Sequence, residues 1–167
     1  VQALLQHHRD VVAGPGWRQP REVALAMLYH DAVYEAGRGD NEARSAMMAR
    51  AAIARWLPDA GVDAERVAAL IELTARHGHV RGDELDADAA LFLDADMAIL
   101  GAPPDVFDAY DRGIAEEYRG KVPGLLFRLN RRRFLKGVLA QPRIFFSDFF
   151  HERYDAKART NLRRVTG

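Results

Sequence analysis

The chain contains no cysteine, which excludes disulfides and thiolate metal sites and leaves nitrogen and oxygen as the available metal donors. It carries no net charge: 24 Lys and Arg balance 24 Asp and Glu, so no global field draws it to a nucleic-acid polymer or a membrane. No apolar run approaches the length of a membrane span, and no signal-peptide pattern is visible. These absences fit a cytoplasmic protein. Strand-type alternation is nearly missing as well, which argues against a sheet.

What remains is helical spacing, repeated along 167 residues, enough for one domain with a substantial core. Val1, Leu4, Leu5 and Val12 mark a first helix that ends at Gly14-Pro15-Gly16. Pro20 opens a second, whose apolar pattern runs through His30 and Asp31. Asp40 is the expected N-cap of a third that stops before Pro58, and Asp63 the N-cap of a fourth. Ala87 to Leu100 reads as a fifth, closed by Gly101. Further helices are expected from Val106 to Tyr118, Leu125 to Leu139, and about Phe149 to the end. No linker or internal repeat interrupts them, so residues 1–167 are read as a single all-α domain.

Within this pattern, His30 and Asp31 sit among apolar neighbours in Leu28-Tyr29-His30-Asp31-Ala32-Val33-Tyr34. A carboxylate in such a setting needs a partner, and a divalent cation is one. A second acidic cluster, Phe92-Leu93-Asp94-Ala95-Asp96, is the natural source of further donors. Residues two apart on a regular helix point about 200° apart, so only one of Asp94 and Asp96 would face the ion and the other would cap, pair or support it. Nitrogen and carboxylate donors suit manganese, iron, zinc, cobalt or magnesium. Open coordination positions would let such an ion activate water.

Around this pair lie further candidates. His77 and His79 flank Gly78 after the fourth helix; His77 is a candidate for a second metal, a phosphate or a leaving group, and a surface loop is its ordinary alternative. Glu42 is placed to orient a ligating imidazole or the water, or simply to favour a helix N-terminus. Arg44, Arg76, Arg81 and Arg119 are weak candidates for phosphate binding, exposed arginine being the default. Arg131-Arg132-Arg133 reads as a solvated helix face. The stretch Ile144 to Phe150 is expected to pack the terminal helix, and His151 to be peripheral.

These residues resemble the HD superfamily of metal-dependent phosphohydrolases, and most closely a bacterial subgroup of predicted phosphohydrolases. The resemblance runs through residues 28–34, Asp40-Asn41-Glu42 with Ser45-Ala46, Leu70-Ile71 with Thr74 and His77, residues 92–101, Glu117-Tyr118, and Ala158-Arg159 with Asn161-Leu162. It implies an all-α HD-type helical bundle and a metal held by a first His, the pair His30 and Asp31, and a distal Asp, here Asp96. Asp94 is then the supporting carboxylate. The first His would precede a segment like Val1 to Leu5, where the sequence starts. The expectation is truncation just after that ligand, the alternative being His7 or His8.

The resemblance implies hydrolysis of a small phosphate ester, with nucleotides the first guess by analogy. Two other readings accompany it. One is a di-iron HD-type oxygenase using His77 and His79. The other is a non-catalytic module that binds a nucleotide or a partner.

Overall fold

The computed structural model describes residues 2–77 and 79–167. Val1, assigned above to the first apolar stripe, and Gly78, between the two histidines, lie outside the described residues. The protein is all-α, with eight α-helices and no strand among the described residues: α1 (Gln2–Val12), α2 (Pro20–Tyr29), α3 (Asn41–Trp56), α4 (Ala64–Thr74), α5 (Ala87–Met97), α6 (Pro104–Glu117), α7 (Gly124–Ala140) and α8 (Asp148–Thr166). Short 3₁₀ turns occupy Gly82–Glu84 and Ala98–Gly101. No helix among the described residues is long and apolar enough to cross a membrane.

Several boundaries follow local chemistry. Pro20 stands in the first turn of α2, where its missing N–H is no loss. Asp63 caps α4 as expected, its Oδ1 accepting from Arg66 N at 3.0 Å. Asp40 does not cap α3; the Arg38 guanidinium takes both its carboxylate oxygens, at 2.7 and 2.8 Å. The fifth helix is shorter than expected, because after Met97 the chain tightens into the 3₁₀ turn that ends at Gly101. The second ends at Tyr29 rather than running through Asp31.

The chain packs as two compact units, Val1–Ala95 and Asp96–Gly167, with the boundary inside α5. In the first, α3 and α4 pack against each other, α2 lies against both, and α1 lies against α2. Val23, Met27, Ala46, Leu70, Ile71 and Phe92 are fully buried at its centre. The start of α2 is pinned by Asp88, a buried carboxylate that accepts from Arg18 N and Gln19 N at 2.9 and 2.7 Å. In the second unit, α8 packs on the 3₁₀ turn 98–101 and on α7. A Cβ at Gly101 would come within 2.8 Å of the Tyr154 carbonyl oxygen, so only glycine permits this approach. Asn161 Nδ2 donates to Leu100 O and Ala102 O, both at 2.9 Å, and closes the junction.

The late aromatic stretch has the packing role expected of it. Phe145 and Phe150 are fully buried, with ring centroids 6.5 Å apart, and Tyr154 lies 5.7 Å from Phe150.

Candidate functional site

The first unit buries one imidazole. His30 follows the last residue of α2, keeps helical dihedrals (φ −55°, ψ −36°) and donates its backbone N–H to Ala26 O at 2.9 Å. Its ring points inward: the residue is 5 % exposed and meets Phe92 edge-on, with centroids 6.3 Å apart. Nδ1 lies 3.0 Å from Met27 O. A carbonyl can only accept, so that hydrogen bond assigns the proton to Nδ1 and turns Nε2 outward. Nε2 lies 3.2 Å from Asp31 Oδ2.

The pair is not buried together, contrary to the sequence reading. The Asp31 side chain is 67 % exposed and lies in the turn beyond the helix. The physical reason lies in α3. Ser45, fully buried, accepts from Val33 N at 3.0 Å and donates to Val33 O at 3.2 Å. Asn41, also buried, accepts from Glu35 N at 3.1 Å and donates to Glu35 O at 3.0 Å. Side-chain partners thus take the backbone groups that a continuing helix would need, and the chain turns away at Asp31. Asn41 and Ser45 stand within the motif segments, but neither is a candidate site residue by sequence. Their i, i+4 spacing was the available signal, since it puts two polar residues on one face of α3.

The second acidic cluster divides differently from the first. Asp94 is 1 % exposed in α5, beside Phe92 and Leu93, and a carboxylate at that depth requires donors or a cation. Asp96 is half-buried one residue from the end of the same helix, where the second unit begins. Its charge, after burial and against the opposing pull of Arg131, helps keep the Tyr110 phenol above its ordinary value. Among the described residues, no three His, Asp or Glu side chains gather closely enough to hold a metal. Among the expected donors, His30 and Asp31 are in direct contact.

The remaining candidates come from other segments. Glu42 is half-buried in the first turn of α3. His77 is half-buried in the turn after α4, its N–H donating to Thr74 O at 3.3 Å, whereas His79 is exposed. All four weak phosphate candidates are exposed and paired with nearby acids: Arg44 with Glu35 at 3.6 Å, Arg76 with Glu84 at 3.6 Å, Arg81 with Asp83 at 2.8 Å, and Arg119 with Glu116.

Other histidines and an arginine have local partners of their own. His8 stacks on Trp17 with centroids 5.5 Å apart, while Trp17 Nε1 donates to His8 O at 3.2 Å, which gives this ring a structural task. Burial lowers the His7 imidazole below its usual value, against the raising influence of Asp10. Arg131 is not part of a solvated face: its Nε donates to Asp111 Oδ1 at 2.9 Å and its guanidinium lies 5.5 Å over the Tyr110 ring. His151 is not without a neighbour, since Nδ1 lies 3.3 Å from Asp155 Oδ1.

No family model, no curated protein and no solved structure matches this chain.

Proposed function

We propose that the protein is a metal-dependent phosphohydrolase of the HD type, acting in the cytoplasm on a small phosphate ester such as a nucleotide. The observation that carries the reading is the environment of His30. Its Nδ1–H is spent on Met27 O, and Nε2 faces the Asp31 carboxylate at 3.2 Å. A nitrogen lone pair and an acceptor-only carboxylate attract each other only through a positive species between them, a proton or a metal ion. A carbonyl-anchored imidazole is also the usual state of a metal-ligating histidine, because the anchor fixes the tautomer and the ring orientation.

The donor chemistry fits a hard or borderline divalent ion, with His30 Nε2 and Asp31 as the paired donors. The resemblance gives a further carboxylate to Asp96, with Asp94 supporting it. Bound there, a divalent ion would lower the pKa of a coordinated water and polarise a phosphoryl oxygen. The residues themselves have separate tasks. Met27 O and Phe92 hold the imidazole in one orientation. Ser45 and Asn41 fix the loop that presents Asp31. Asp31, at the solvent edge, is the donor that an incoming ester meets. Glu42 and His77 are assigned to orienting water and protonating the leaving group.

Incubating the protein with manganese and a panel of phosphate monoesters, including nucleoside monophosphates, tests this reading. Phosphate release that disappears in both Asp31→Ala and His30→Ala is expected. Release that persists undiminished in both variants, or its absence across divalent metals and esters, would overturn it.

A further inference from the structure

Overall neutrality conceals a concentration of charge on one helix. α7 carries Arg128, Arg131, Arg132, Arg133 and Lys136 and no acidic residue. Its attachment to the second unit is narrow, with only Leu135 and Val138 buried. The opposite face, over the first two turns, exposes Leu125 (65 %), Leu126 (48 %) and Leu129 (57 %). At 100° per residue, Leu125, Lys136, Leu129, Arg133 and Leu126 follow one another around that face, while Arg128 flanks it. The preceding turn adds Lys121 and Val122. An open crevice of about 400 Å³ there is lined by residues that include Tyr118, Phe127, Arg119 and Arg128.

We propose that the exposed face of α7 and the turn before it form a docking surface for an anionic lipid bilayer, the leucines entering the acyl boundary and the basic side chains meeting lipid phosphates. Two observations select this occupant. The charge is of one sign and complements a phosphate-bearing surface. Two of the cations, Arg133 and Lys136, also continue the leucines' own face, about one and two turns beyond Leu129. A protein interface depletes charge at its apolar centre, whereas an interfacial helix benefits from mixing, because long basic side chains lie along the apolar surface while their heads reach phosphates. A helix lying on a bilayer needs neither the length nor the uniform apolarity of one that crosses it. The proposal stands apart from the metal reading, since no residue of α7 belongs to the His30–Asp31 pair.

Co-sedimentation of the full chain with vesicles tests it, comparing pure phosphatidylcholine with phosphatidylcholine containing phosphatidylglycerol, at low and high salt. Binding is expected to the anionic vesicles only and to weaken with salt. Replacing Arg128, Arg133 and Lys136 together by Gln should weaken partitioning about a hundredfold, at about fivefold per cation. The exposed pair Leu125→Ser and Leu129→Ser should weaken it as well, with the helical circular dichroism of both variants unchanged. Absence of binding at low salt would overturn the proposal, as would binding indifferent to the leucine substitutions. Self-association abolished by the leucine substitutions, or capture of polyglutamate without vesicle binding, would also overturn it and reassign the face to a second copy or an acidic protein.

Discussion

At the scale of single residues, burial separates groups that the sequence presents alike. His30 and Asp31 are adjacent in the chain, yet one is enclosed and the other faces solvent. Removing Asp31 should therefore change stability by no more than about 0.5 kcal/mol, as is usual for an exposed side chain. Urea unfolding of Asp31→Ala checks this, and a much larger loss would mean that the carboxylate is structural. Asp94 and Asp96 should show the complementary split. Asp94→Asn, at a buried position, should cost more stability than Asp96→Asn, while Asp96→Asn should cost more metal affinity. The reverse order in metal titration would exchange their roles. Ser45→Ala would leave the Val33 N–H and carbonyl without their partner, which should cost about 1–3 kcal/mol and speed amide exchange at Val33.

At the scale of elements, the helices themselves were legible, because apolar spacing, Pro20 and Asp63 are local signals with local consequences. What was not legible depended on partners distant in sequence. The apolar pattern carries on through Ala32 and Val33, so nothing local announces that α2 stops at Tyr29; Ser45, twelve residues beyond its partner Val33, decides it. Asp40 is a sound capping residue until Arg38 claims its carboxylate. Arg131 looks like its exposed neighbours until Asp111 and Tyr110 are folded against it. Gly101 was expected to end a helix, and its further constraint, the Tyr154 carbonyl, comes from α8. Gly101→Ala should therefore destabilise the second unit by about 1–3 kcal/mol, the usual range for an overpacked site. A chemical denaturation midpoint unchanged by this substitution would contradict so close an approach.

At the scale of the whole molecule, charge is balanced in sum and uneven in place, and pH acts through a few specific carboxylates. Burial alone would raise Asp155, but the Ile144 N–H, at 2.9 Å, and Arg159, at 2.6 Å, hold it below the ordinary carboxylate range, with His151 acting in the same direction. Asp86 is likewise held low by the Ala89 and Asp88 amides and Arg66, against the pull of burial. A carboxyl lowered by folding stabilises the native state above its unfolded pKa and loses that contribution as pH falls through the folded value. Stability should thus decline as pH drops below about 4. The decline should be shallower in Asp155→Asn, which starts from a lower stability at neutral pH. An equally steep acid decline in that variant would remove Asp155 from the account. The candidate site was legible only in part on this scale. The His30–Asp31 pair is in contact, whereas no larger group of His, Asp and Glu gathers among the described residues. Sequence spacing sets which faces of a helix residues occupy, but not how closely separate helices bring them.

The central claim is that the His30–Asp31 pair holds a divalent ion, and counting metal per chain tests it most directly. Elemental analysis of the purified protein after manganese incubation and desalting should give about one equivalent, lost in Asp31→Ala while circular dichroism stays helical. Two irons per chain would move the oxygenase reading ahead of the hydrolase. No retained metal, or full retention in Asp31→Ala, would contradict the claim and leave His30 with a proton as its link to Asp31.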